Sequence, residues 1–256
     1  MAAARRMLHR RVGVAAGGNV LATLTDIRSA ADVLRWASWG SYGETIRLNV
    51  GVPHLVMQGG FNFSQSSHPF VAALSEGIGA LESFYSQCSP GSLCEYHGVQ
   101  DASEKDWLVP AWEVPWIQRV ARLPPPGECG LGPEHGVSFY GPVSPDKLAL
   151  EYRRLVELRA AIQNGGYQPG LYGDIDGYFM LDQQGQYRFF VRGGKHRAAV
   201  LAHLGWTHVP VVFKREWPRV VRLRDSSEWP LVHDGTLAEP AARAVFSSYF
   251  SGARFG

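Results

Sequence analysis

Residues 187–213, YRFFVRGGKHRAAVLAHLGWTHVPVVF, constrain the fold more than any other stretch of the chain. Tyr187–Val191 reads as a short strand, and the glycine pair Gly193-Gly194 interrupts it. A helix is expected over about His196–Leu204, closed by Gly205, and a strand over Val209–Phe213. A strand, a glycine turn, a helix and a further strand in immediate succession point to an α/β arrangement. The glycines let a backbone come close to a ligand, and the first turn of the helix offers amides without internal partners. Lys195, His196 and Arg197 stand at that end and add charge-assisted donors. The pattern reads as an anion or phosphate site; the plainer alternative is a glycine turn with solvated basic residues.

The preceding segment has the same regularity. VSFYGPV, residues 137–143, is a strand candidate, and Ser144-Pro145 opens a helix to about Gln163. Leu148, Tyr152, Leu155, Leu158 and Ile162 mark its buried face, and Asn164-Gly165-Gly166 ends it. Tyr178–Leu181 is expected to be a strand paired around the turn-forming Asp182-Gln183-Gln184-Gly185.

The flanks are less regular. Residues 28–39 suggest a short helix with Ser29 as its cap and Asp32 three positions on. Residues 44–58 hold two β-type runs about Gly51-Val52-Pro53, as a hairpin or a bent strand. Phe70, Leu74, Ile78, Leu81 and Tyr85 predict one helix over Pro69–Gln87, with Ser66 or Ser67 near its start. Residues 88–134 are rich in Gly, Pro and Ser, include a proline run at 124–126, and read as an extended strap. Its Trp107, Trp112 and Trp116 are either sugar-stacking platforms or glue to a domain surface. After Trp229-Pro230, Thr236 with Glu239 suggests a capping box for a last helix that buries Ala242, Val245, Phe246 and Tyr249. The expected division is an N-terminal α+β region, 1–134, an α/β unit that carries the anion site, 135–215, and a C-terminal strap and helix, 216–256.

Composition excludes several classes. With 45% hydrophobic and 19% charged residues, the chain can bury a real core. A net charge of +2 gives no electrostatic case for a dedicated DNA binder. Cys88, Cys94 and Cys129 form an odd set without a CxxC, which disfavours a zinc site and points to a reducing, cytoplasmic setting. Cys88 and Cys94 would be a pair only in an exported protein. Residues 1–24 are basic, with no acid before Asp26. They read as an Arg-rich terminus, a transit peptide, or a segment resting on an anionic membrane surface.

The order of features from 143 to 213 resembles the ParB/sulfiredoxin-like superfamily. A helix ending in a small residue plus Ile162 is followed by Gly166-Tyr167-Gln168-Pro169, similar to that superfamily's G-x-x-QP turn. Gly194-Lys195-His196-Arg197 stands at its G-x-H-R phosphate motif, and LGWTHVPVV resembles its closing unit. The resemblance implies a nucleotide site built from Gln168, Gly193, Gly194, Lys195, His196 and Arg197. Sulfiredoxin chemistry needs a cysteine directly after the two glycines, and Lys195 stands there instead. The partition clamps carry an ENxxR-type motif and a helix-turn-helix domain, and the 43 residues after Phe213 read as neither.

The retained features are closest to the superfamily's small-molecule kinases. That implies an ATP-dependent transfer (or CTP) with Mg²⁺ to a small-molecule or sugar hydroxyl. The alternative is a nucleotide-binding switch that acts through partners; a nuclease ranks third, because no acidic metal cluster is evident. The expected phosphate-neutralising residue is Arg197, and the candidates for the base are Asp146, Glu151 and His135, with Glu134 beside them. Asp174 and Asp176, in GDIDG, are either Mg²⁺ ligands or turn formers. HPF, WEVPW and HGVSFYGPVS also look loosely like segments of bacterial proteins associated with envelope polysaccharides.

Overall fold

The computed structural model describes residues 25–38, 46–117, 125, 127–213 and 217–252. The basic segment 1–24 lies outside them, as do Pro124 and Pro126 of the proline run. In chain order the elements are β1 (Thr25–Ile27), α1 (Ala30–Ser38), β2 (Arg47–Gly51), β3 (Leu55–Val56), α2 (Pro69–Glu76), α3 (Ile78–Gln87) and α4 (Leu93–His97). There follow α5 (Pro145–Gly165), α6 (Pro169–Tyr172), β4 (Ile175–Leu181), β5 (Tyr187–Gly193) and α7 (Lys195–His203). The last are β6 (His208–Phe213), β7 (Val220–Arg222), α8 (Pro230–His233) and α9 (Glu239–Ser251).

The protein is an α/β fold on one mixed sheet of order β1-β2-β6-β4-β5-β3. The β4–β5 hairpin lies inside it. One edge of β4 serves two strands in succession: β6 pairs with Ile175–Gly177 and β7 with Phe179–Leu181, both in parallel. Strands from all three expected segments thus share the sheet.

Side-chain alternation on these strands builds two cores. Ile175, Phe179, Leu181, Phe189 and Val191 join one face, packed against α2, α3, α5 and α7. Tyr178, Met180 and Phe190 point to the other face, covered by α4, α9 and the strap. There Trp116 packs edge-on against Trp229, Phe246 and Tyr249, and its indole N–H donates to the Tyr178 hydroxyl at 2.8 Å. Trp116 is therefore glue; Trp112 is half-buried, and Trp107 is exposed. Cys88 and Cys94 are buried free thiols.

Several local expectations are corrected. The single helix over Pro69–Gln87 is two, because Gly77, at φ 94°, leaves the helical region. The cap of α2 is His68, whose ring nitrogen accepts from the Phe70 amide, in place of Ser66 or Ser67. VSFYGPV forms no strand: only a bridge joins Val137 to Tyr140, before a cis Gly141–Pro142 bond. β2 and β3 do not form a hairpin, since β2 pairs with β1 and β6 while β3 pairs with β5. The capping box is also absent: Ala238 caps α9, and Glu239 accepts from the Ser226 hydroxyl at 2.6 Å. The strap contains the short helix α4, which its Gly and Pro content concealed.

Candidate functional site

The first turns of α5 and α7 meet on the face covered by α2. Ser144 caps α5, its hydroxyl accepting from the Lys147 amide at 3.2 Å, and His135 Nδ1 lies 2.7 Å from the same oxygen. That cap fixes Lys147 and, one turn on, Glu151 on the inward side of the helix. Glu151 is wholly buried. Its carboxylate lies 2.5 Å from His196 Nε2 and 2.8 Å from Lys147 Nζ, with Arg154 at 3.5 Å. Burial works against the charged form, but the hydrogen bond and charge of His196, followed by Lys147, outweigh it and hold the carboxyl at about 2. A carboxylate only accepts, so Nε2 carries a proton in either charge state of the ring, and Nδ1 is the nitrogen that gains or loses one. The ring is held flat against Phe70 of α2, centroids 4.8 Å apart.

The three basic residues of the glycine turn part ways. Lys195 turns inward and lies over the Phe139 ring, 4.3 Å from its centroid. Burial, then the charge of Arg192, pushes this amine down to about 7. Its charged form is thus disfavoured in the fold, and stability should rise with pH between about 7 and the ordinary lysine value. Lys195→Met is expected to stabilise the protein by roughly 1–3 kcal/mol at pH 6, with the advantage gone by pH 10. Urea titrations at both pH values check this, and an equal shift at both would refute it.

Arg197 turns the other way and donates to the Asp174 carbonyl, packing against Gly173 and Gly194. Gly194 lies at φ 80°, with Asp174 and Ile175 backbone atoms 3.0 Å from where a Cβ would stand. Only glycine suits that position. The Asp176 carboxylate leans against Gly193. Asp174 itself forms an ion pair with Arg47 at 3.1 Å, and both its carboxylate oxygens accept from that guanidinium.

The expected site residues therefore fall into groups. Glu151, Lys195 and His196 come together, with Arg197 and the two glycines beside them. Asp146 is exposed on the first turn of α5, and His135 supports the cap. Gln168 is exposed and donates to the Gly165 carbonyl at 3.1 Å. Asp174, paired to Arg47, does not fit a Mg²⁺ ligand, and among the described residues no group of three or more His, Cys, Asp or Glu gathers for a metal. Lys147, Arg154, Glu128 and Phe70 were not anticipated; nothing near them in sequence signals a shared site.

No family model matches the chain, and no curated protein or solved structure matches it. The likeness to the ParB/sulfiredoxin-like superfamily rests on the motif order alone. Among the described residues, no helix is long and apolar enough to cross a membrane.

Proposed function

We propose that the chain is a phosphotransferase that moves the terminal phosphoryl group of ATP to a small-molecule or sugar hydroxyl. The observation that carries this reading is the Glu151–His196 pair at the first turn of α7, beside the glycine turn. Glu151, held at about 2, is too weak a base for a hydroxyl, and its role is to orient His196 and stabilise its charged form. His196 Nδ1 then takes the acceptor's proton as the acceptor oxygen bonds to the γ-phosphorus. The bond to the bridging β–γ oxygen breaks and ADP leaves. Amides at the start of α7 would hold the phosphates. Mg²⁺ would enter on the nucleotide, since Glu151 and Asp174 are paired with basic side chains. A cytoplasmic setting, with residues 1–24 against an anionic membrane and an envelope glycan precursor as acceptor, belongs to the same proposal.

Calorimetric titration with ATP, ADP, CTP and GTP, with and without Mg²⁺, tests it on the wild type and Arg197→Ala. The expected result is adenine-nucleotide binding lost in the variant, and ADP release only when a hydroxyl acceptor is added. CTP-selective binding without turnover would transfer the reading to a nucleotide switch. No binding to any nucleotide would overturn both.

A further inference from the structure

The cations around Glu151 hold a second carboxylate of different standing. Lys147 Nζ contacts Glu128 Oε1, and Arg154 donates to Glu128 Oε2 at 2.7 Å. Lys147 is only 3% exposed, so its charge must be met by anions inside the protein. Glu151 meets part of it from a rigid helix. Glu128 meets the rest from a short turn, closed by a bond from the Leu131 amide to the Glu128 carbonyl, and its carboxylate is 40% exposed.

Gly130, inside that turn, faces open space, with nothing within 4 Å of where a Cβ would stand, whereas Gly127 before it packs closely against the Leu131 carbonyl and Gly132. Cys129, inside the turn, sits at φ 51°, a left-handed conformation that a residue with a Cβ adopts only under constraint. Its thiol lies 2.8 Å from the Arg154 guanidinium. The turn is thus clasped by polar contacts against its own backbone preference. Withdrawing Glu128 would leave Lys147 and Arg154 sharing Glu151 alone, with Lys195 close by and a surplus of positive charge in a sheltered place.

We propose that the position of the Glu128 carboxylate, between Lys147 and Arg154, is the seat of a phosphoryl group, and that Glu128 is its internal stand-in. The two carboxylate oxygens each meet a different cation, as two oxygens of a phosphoryl group would. The arriving dianion replaces the lost charge and the clasp opens. The inference rests on the phosphotransferase reading only for whose phosphoryl group arrives; the seat itself requires no nucleotide.

The test is calorimetric titration with inorganic pyrophosphate of the wild type, Glu128→Gln and Glu128→Gln/Arg154→Leu, each first shown to melt cooperatively. Glu128→Gln removes the competing charge and should bind pyrophosphate roughly tenfold more tightly than the wild type, with the gain lost in the double variant. Unchanged or weaker affinity in Glu128→Gln would overturn the proposal, as would a gain that survives loss of Arg154. The wild type supplies a second measurement that needs no variant. Pyrophosphate should speed alkylation of exposed Cys129 several-fold while Cys88 and Cys94 stay buried. An unchanged or slowed rate counts against the seat. A pyrophosphate gain without ATP binding keeps the seat and removes the nucleotide reading. Arg197-dependent ATP binding indifferent to Glu128 does the reverse.

Discussion

Glu151→Ala is expected to destabilise the protein by about 3–5 kcal/mol, the usual effect of removing one partner from a buried charge network. The loss leaves Lys147, which is almost wholly buried, with the half-exposed Glu128 as its remaining anion, and deprives His196 of its acceptor. Glu151→Gln should recover part of the loss, because an amide oxygen still accepts from Nε2 but does not neutralise Lys147. The double variant Lys147→Met/Glu151→Leu should recover more, since two apolar side chains leave no orphan charge. Urea denaturation of the four proteins decides the matter. A loss below about 1 kcal/mol in Glu151→Ala would mean that water enters the cluster and screens it.

Acid should unfold the protein early, between about pH 5 and 4. His68 and His97 are buried, and burial pushes both down to about 3. The His68 Nδ1 accepts the Phe70 amide as the cap of α2, so protonating it breaks the cap. The Ser248 hydroxyl donates to the Val245 carbonyl and so accepts from His97 Nδ1, 2.7 Å away. Nε2 then takes the Tyr249 hydroxyl at 3.4 Å, leaving no place for a second proton. The unfolded chain binds protons at both rings below about 6.5, whereas the native state does not until about 3. Each ring therefore removes about 1.4 kcal/mol of stability per pH unit through that window. Two pH units below the unfolded value, the pair removes about 5 kcal/mol, comparable to the whole stability of many domains. The depressed carboxyl of Glu151 acts in the same direction, at lower pH. Denaturation midpoints of His97→Gln against the wild type, from pH 7.5 to 4, measure this. The variant should show the shallower slope, and equal slopes would refute the assignment.

What the sequence makes legible follows the range of the interactions. The β5–α7–β6 run was readable because its alternation, its glycine pair and its helix end are local signals. Glu151 emerged as a candidate from its place on α5, but its partner His196 stands 45 residues away, and no periodicity links them. Glu128 lay in a glycine-rich stretch that offered no reason to single it out. The failed capping box is instructive in the same way. Thr236 and Glu239 have the spacing, but the Ser226 hydroxyl, from a neighbouring turn, claims the Glu239 carboxylate. The pairing of β2 with β6 is equally hidden, since each strand alone carries only an apolar pattern.

The sheet order also bears on how the chain comes together in time. Among the described strands, only the β4–β5 hairpin joins neighbours across a short turn. β3 meets β5 through Leu55 and Phe189, and β2 meets β6 through Arg47 and Val212, contacts that each close a very long stretch of chain. Such closures carry an entropic penalty that must be met before any burial offsets it. During synthesis, β1 and β2 leave the ribosome with each other but without β6, and β3 leaves it without β5. Their apolar faces wait for β5 and β6, so the N-terminal third depends on what shields it until the last quarter of the chain has emerged.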